Sequence, residues 1–415
     1  MSTLIPKFDF KNGGATPTGA INRPINEKLG DFINVKDFGA VGDGTTDDTV
    51  AIQAAINYAQ TFTNGLPATV YLPAGIFKTT ASLVISKSIW LKGESSSATQ
   101  IKITSASIVP VISVASDPNT FLGGGISNIY IDAGTNCDGI VMVANSPFGI
   151  SRYIVENMAI YNCRDGVNAT SNTANALYQS IFRNILVVNT TRYGVNLFGI
   201  AYSVFQNIEV SQVANTAYAF RTVGVFGSYF NTLTGDGVCF IDAQSSVIDG
   251  FTIETIYATT PIVNVAVKFN NAAAVRNVWL IDVDNAKCPY AIGLGIATIH
   301  LSDVSITNAI TTAPTYPLSL DVGGNGIISN FTTNGATKIE DYSSAASLTN
   351  WKFINCTSLT NISNLGSNLV TVLPTANEKY RGNMLTVKGG TGVTDHTYVC
   401  QKDAANVYNW VQIDN

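Results

Sequence analysis

The sequence predicts an all-β protein built as a right-handed parallel β-helix, and three observations carry the prediction. A short pattern of apolar, any, Asn, apolar, any, apolar recurs at ten places along the 415 residues. The residues one and three after the Asn position are nearly all apolar while the one between is mixed, which is strand periodicity. The chain also holds 40 Asn and 35 Gly, residues that accept left-handed backbone and mark tight turns. A short strand cannot bury one face alone, so each copy must stack on the next and fill a shared interior.

From the N-terminus, residues 1–33 lack the pattern and form a separate lead-in segment. Residues 34–69 make a capping segment: Thr45 to Asp48 supplies N-cap hydroxyls or carboxylates ahead of an amphipathic helix from Thr49 to Ala59. Its role is to cover the open apolar end of the solenoid. Val70 to Gly75 reads as a strand ending in a turn. The β-helix extends over 70–367, with anchors at Asn128, Asn157, Asn184, Asn207, Asn231, Gly250, Asn277, Asp303, Asn330 and Asn350. Their mean spacing is about 25 residues. An Asn at eight of the ten anchors suits a turn and allows amides to stack between neighbours. Second strands follow most anchors, as at Asp138-Gly139, Asp165-Gly166 and Tyr193-Gly194. A leucine-rich repeat would need a fixed Leu spacing and a helical half, which this pattern lacks. Residues 368–415 lose the pattern and suggest a small separate β element.

Composition removes several classes of function. The net charge is −5, and no Lys/Arg cluster offers the footprint of a nucleic-acid binder. No apolar run reaches the roughly 18 residues of a membrane span, and Met1 to Phe10 does not resemble a signal peptide. The expectation is a protein made without export by a signal peptide and without membrane insertion. Six cysteines occur singly with no C-x-x-C, which argues against a zinc site or disulfides and for buried reduced thiols. His300 and His396 have no acids at metal spacing. No metal and no cofactor are expected.

Val35-Lys36-Asp37-Phe38-Gly39-Ala40-Val41-Gly42-Asp43-Gly44-Thr45-Thr46-Asp47-Asp48-Thr49, followed by Ala51-Ile52-Gln53-Ala54-Ala55, resembles the opening of the pectate-lyase-like β-helix superfamily. The likeness continues through Tyr71-Leu72-Pro73-Ala74-Gly75 and Leu91-Lys92-Gly93. Asn22 to Leu29 resembles the lead-in of bacteriophage tailspikes, and Gly389 to Ile413 resembles their C-terminal ends. The resemblance implies a homotrimeric virion protein, attached to the phage tail or baseplate through residues 1–33 and capped by 368–415. It further implies binding, and often cleavage, of a bacterial surface polysaccharide. The signatures of polygalacturonase-type members are missing, so pectin hydrolysis is not supported. Asp43, Asp47 and Asp48 stand in the strongest motif, yet turn and helix-dipole chemistry explains them without catalysis.

With triads and metals set aside, the remaining chemistry is a pair of carboxylates flanking a glycosidic bond. Rungs lie about 4.8 Å apart, so acids at equal offsets from successive anchors stack at a usable separation. Glu254 is four beyond Gly250, while Asp236 and Asp282 are each five beyond Asn231 and Asn277. Asp236, Glu254 and Asp282 are therefore the candidate catalytic residues, and stacked like charges would raise one pKa to make a general acid. Glu209, Trp279, Tyr257 and Tyr229 are the candidate substrate-binding residues, the aromatics offering surfaces for sugar rings. Solvated turn acids and aromatics packed against neighbouring subunits would give the same pattern. The two functional classes are a polysaccharide depolymerase, with hydrolysis preferred to elimination, and a non-enzymatic receptor-binding tail protein. Outward Leu186 and Leu233 are further signs of assembly, and Arg183 and Arg276 are either anion-binding or solvated.

Overall fold

The structure is a computed structural model. It describes residues 7–8, 23–24, 32–62, 67–116, 122–144, 149–171, 177–214, 218–256, 265–283, 290–295, 298–307, 316–320, 324–333, 339–341, 351–354 and 356, and near the C-terminus 369–370, 384–387, 396–403 and 407–413 with single residues between. The body is one 28-stranded sheet wound into three parallel faces. The interior row of the first face runs Val70, Leu91, Ile126, Val155, Phe182, Phe205, Phe230, Ile248, Val275, Leu301 and Ile328, each beside the next. All are buried. Within that row Phe182, Phe205 and Phe230 stack at 5.0 and 4.8 Å with nearly parallel rings.

The faces meet at residues in left-handed backbone. Asn128, Asn157, Asn184, Asn207, Thr232, Gly250, Asn277, Asp303 and Asn330 make the corner between first and second faces, at intervals from 18 (Thr232 to Gly250) to 29 (Asn128 to Asn157). Asn tolerates this conformation better than other non-glycine residues, and here its amide also bridges rungs. Asn157, Asn184 and Asn207 each donate to the previous Asn at 3.1, 2.9 and 3.0 Å. The ladder stops where Thr232 and Gly250 replace Asn.

Two expected anchors are corrected. In the fifth copy the bend falls at Thr232, with Asn231 beside Gln206 one residue earlier. Leu233 therefore follows the bend directly and is buried at 2% rather than facing outward. In the last copy Trp351, expected next to Phe331, lies beside Gly326. Its neighbour pattern places the copy's strand before the bend, not after it.

Helix α1 (Thr49–Ala59) buries Ile52, Ala55, Ile56 and Ala59 over the end of the solenoid, the i, i+3, i+4, i+7 stripe of a one-faced helix. The parallel sheet already includes Ile33–Asn34, paired with Val70 and Tyr71. Asp48 does not cap the helix with its side chain. Instead its carboxylate accepts from Val41 N at 2.6 Å and Gly42 N at 3.1 Å, tying down the preceding turn. Asp43 accepts from Thr45 N and Thr46 N, and Asp47 from Thr49 and Thr80. These hydrogen bonds hold both carboxyls below the usual carboxylate range, as expected of structural turn acids. Cys137, Cys163, Cys239 and Cys400 are buried thiols that form no disulfide among the described residues. Burial pushes the Cys163 and Cys239 thiols up to about 12. At the C-terminus Leu369–Val370, Met384–Val387, His396–Lys402 and Tyr408–Gln412 form a separate four-stranded sheet.

Candidate functional site

The second face turns a row of side chains outward: Ala159, Leu186, Glu209, Thr234, Thr252, Trp279 and Ser305, each in register with the next. Strand alternation produces the row, since the interior neighbours Ile185, Val187, Ile208 and Val210 are apolar and buried. An open groove of about 350 Å³ lies along its start, bounded by the amides of Asn157, Asn184 and Asn207 and by Leu186, Glu209 and Ser96. Glu209 is exposed at the end of this groove. Trp279, 50% exposed, shares the row three rungs on, about 14 Å away at the usual strand spacing.

Asp236 and Glu254 come two residues past Thr234 and Thr252 of that row. Gly235 lies beside Ile253, so the residues that follow each of them are at equivalent backbone positions on adjacent rungs. Asp236 is half-buried. Its backbone N–H donates to Val210 O at 2.9 Å, and its Oδ2 accepts from Gln212 N at 3.3 Å. Glu254 stands beside Ile281, and Ile256 beside Val283. Asp282 thus falls one residue past the Asp236–Glu254 row, because the fifth anchor is Thr232 and equal offsets no longer group Asp236 with Asp282. Tyr229 is on the first face, 38% exposed, with its hydroxyl accepting from Asn231 Nδ2 at 3.2 Å. A corner separates it from Trp279. Tyr257 lies outside the described residues. Among the other aromatics, Tyr130 and Tyr161 stack on each other at 4.9 Å, and exposed Tyr202 meets Phe226 edge-on.

Arg183 and Arg276 are solvent-exposed, as expected of surface positions, and both are engaged in ion pairs. Each pairs with an acid one rung earlier on the first face, Arg183 with Glu156 at 2.6 Å and Arg276 with Asp249 at 3.0 Å. Among the described residues no cluster of His, Cys, Asp and Glu could hold a metal ion.

A polar network at the corner between second and third faces has no counterpart in the sequence-based expectations. Arg164 grips Asp138 with two hydrogen bonds, 2.8 and 2.7 Å. Arg192 does the same to Asp165, whose side chain is wholly inaccessible. Burial raises the Asp165 pKa against the opposing pull of Arg192. Asn168 donates to Asp165, Asn196 to Asn168, and Arg221 to Asn196, at 3.1, 2.9 and 2.9 Å. The signal was present in the sequence: Asp138-Gly139 and Asp165-Gly166 recur 27 residues apart, and Arg164 and Arg192 directly precede the later copies at Asp165 and Tyr193.

The family model for rhamnogalacturonase A/epimerase, pectate lyase-like, matches residues 32–227. Among curated relatives, mannuronan C5-epimerase AlgE6 of Azotobacter vinelandii is 39% identical over 92 residues, 20% of this chain and 10% of the relative. Alginate lyase 7 of the same organism is 38% identical over 109 residues, 24% of this chain and 12% of the relative. The chain thus spans only about a tenth of the length of these relatives. Among solved structures, tailspike protein 2 from Escherichia coli O157:H7 bacteriophage CAB120 superposes with a TM-score of 0.56 at 13% identity, over 91% of this chain and 52% of that one. At that identity the likeness is one of fold. Residues 32–227 are thus similar to the rhamnogalacturonase A/epimerase, pectate lyase-like family, within a chain wound as a three-faced stack of parallel strands.

Proposed function

We propose that this protein is a bacteriophage tailspike that binds and depolymerises a bacterial surface polysaccharide, capsule or O-antigen, by carboxylate-assisted cleavage of a glycosidic bond. It acts as a homotrimer on the virion, joined to the tail through residues 1–33. The observation that carries this reading is the register of the second face, in which Asp236 and Glu254 occupy equivalent positions on neighbouring rungs beside the groove ending at Glu209. Rungs about 4.8 Å apart fit the carboxyl separation of a retaining glycosidase, and the step from Glu209 to Asp236, one rung and two residues, is near the wider separation of an inverting one. Hydrolysis through two carboxylates is preferred to elimination, with Asp282 in a supporting place and Trp279 as a stacking surface for sugar. The polysaccharide-modifying names of the curated relatives agree with a glycan substrate, although folds of this kind host many functions.

Asp236→Asn and Glu254→Gln should each lower the release of reducing ends from host polysaccharide by about 10² or more while binding persists, because positioned proton transfer contributes that much. Purified protein spotted on host lawns should give haloes. Unchanged turnover in both variants removes the proposed pair. Absence of cleavage by the parent protein, with binding intact, leaves a receptor-binding tail protein. That second reading is favoured by one contact, the acceptance of Gln212 N by the Asp236 carboxylate, which is a structural use of the group.

A further inference from the structure

The third face carries a row unlike either of the others. Asn168, Asn196, Arg221, Phe240 and Lys268 lie in register, one per rung, with Asn196 buried and the other four partly exposed. Phe198, 45% exposed, stands two residues along the strand from Asn196, on the rung before Arg221. Two aromatics therefore flank Arg221, and a second cation follows two rungs later, about 10 Å away.

Arg221 is held rather than loose. Its Nη1 donates to Asn196 Oδ1 at 2.9 Å, and its guanidinium lies 5.5 Å from the centre of the Tyr193 ring. Arg192 approaches the same ring at 5.0 Å. Asn196 is fixed through Asn168 to buried Asp165, which also holds Arg192. Buried ion pairs contribute little net stability against apolar replacements, so the worth of this network lies in what it positions. Among the described residues, the nearby acids are committed elsewhere: Asp138 to Arg164, Asp165 to Arg192, and Asp242 to Asn271 and Gly224 N. The polar partner of Arg221 is a neutral amide. A planar guanidinium with remaining donors matches a carboxylate.

We propose that Arg221, Phe240 and Lys268 form a second saccharide site, on the third face, that takes a carboxylate-bearing sugar. The sugar ring lies on Phe240, its carboxylate is bound by Arg221, and Lys268 adds attraction for the next anionic unit. The site anchors an acidic glycan on a different face from the Asp236–Glu254 pair and does not require that pair to be catalytic.

Tri-galacturonate and its methyl-esterified form, the same rings without charge, are titrated calorimetrically into the full chain at low salt. Backbone hydrogen exchange is followed in parallel. The expectation is binding of the acid form with protection in Tyr218–Phe226 and Val238–Gln244, weaker binding of the ester, and loss of acid-form affinity by about tenfold in Arg221→Gln. Arg221→Lys should fall between. Should Arg221→Gln fail to fold, Lys268→Gln and the salt dependence of the parent carry the test, with several-fold weakening expected in each. Equal affinity for acid and ester, protection on Val204–Val213 instead, unchanged affinity in the variants, or no binding at millimolar ligand would each overturn the site. None of these outcomes depends on cleavage, so the catalytic proposal stands or falls separately.

Discussion

Removing the exposed member of the Asp165–Arg192 pair should cost more than removing the buried one. Asp165 has a wholly inaccessible side chain, whereas Arg192 is 42% exposed. In Arg192→Met the apolar stem is kept, but the carboxylate stays buried with Asn168 as donor and with Arg164 already committed to Asp138. An uncompensated buried charge costs roughly 3–5 kcal/mol. In Asp165→Asn the charge itself is gone and Arg192 can turn to water, leaving the loss of charge-assisted hydrogen bonds, about 1–3 kcal/mol. Protonation relieves only the first variant. Burial already raises the Asp165 pKa, with the Arg192 hydrogen bond the largest influence holding it down, so losing Arg192 raises it further. An acid whose folded pKa exceeds its unfolded value of about 3.9 is favoured by the fold when protonated. Its stability contribution is full at low pH and is lost as pH rises through the folded pKa. The Arg192→Met deficit should therefore shrink from pH 8 to pH 5, while that of Asp165→Asn, which has no carboxyl left to protonate there, should not shrink in that direction. Guanidinium midpoints at both pH values measure this, with hydrogen exchange in Tyr193 to Phe198 reporting the local effect. An equal or larger loss in Asp165→Asn at pH 8, or a pH-independent Arg192→Met deficit, would refute the reasoning.

Thr232 holds a β-branched side chain at φ 53°, so Thr232→Asn should relieve strain and stabilise by about 1 kcal/mol; a lower melting temperature would contradict this. Ser203 Oγ accepts from Ser180 N at 3.1 Å and donates to Ala201 O at 2.9 Å. Ser203→Ala leaves a buried N–H unpaired and should cost about 1–3 kcal/mol in denaturant unfolding, with a negligible loss counting against the ladder. A Cβ on Gly326 would sit 1.8 Å from Ile299 O, so Gly326→Ala should cost about 4 kcal/mol or more, and a soluble variant melting near the parent temperature would show that the backbone can yield there.

The fold was legible because a left-handed bend leaves a residue-level mark. Asn at the corner satisfies both the backbone and the rung-to-rung amide bridge, so the same local demand writes the same letter each time. Legibility failed where two candidates stood side by side. Asn231 and Thr232 both suit a turn, and choosing the Asn displaced the copy by one residue, turned Leu233 outward and joined Asp236 to Asp282 instead of Glu254. The third-face network was harder to see for a different reason. Its ion pairs join residues 26 and 27 positions apart, and such pairs become visible only after the register of that face is known. Glu156 with Arg183 and Asp249 with Arg276 are separated in the same way.

Four serines carry the information that fixes the register independently. Ser180, Ser203, Ser228 and Ser246 each stand four residues before a left-handed corner residue, namely Asn184, Asn207, Thr232 and Gly250. They close the corner between third and first faces. The residue before each is left-handed, at Gln179, Tyr202, Gly227 and Ser245. Each hydroxyl donates to the carbonyl two residues earlier, and the later three accept from the backbone N–H of the preceding serine. A first-face strand bracketed by two such corners has fixed length, so the variation in coil length must be taken up after the second face begins. The short coil from Thr232 to Gly250 therefore does not displace the acids. Asp236 is eight residues past Ser228 and Glu254 eight past Ser246, the same offset that puts Val188 and Ser211 side by side on earlier rungs. Their alignment on the second face follows from the serine corner and the anchor corner together, whatever the length of the loop that closes each coil.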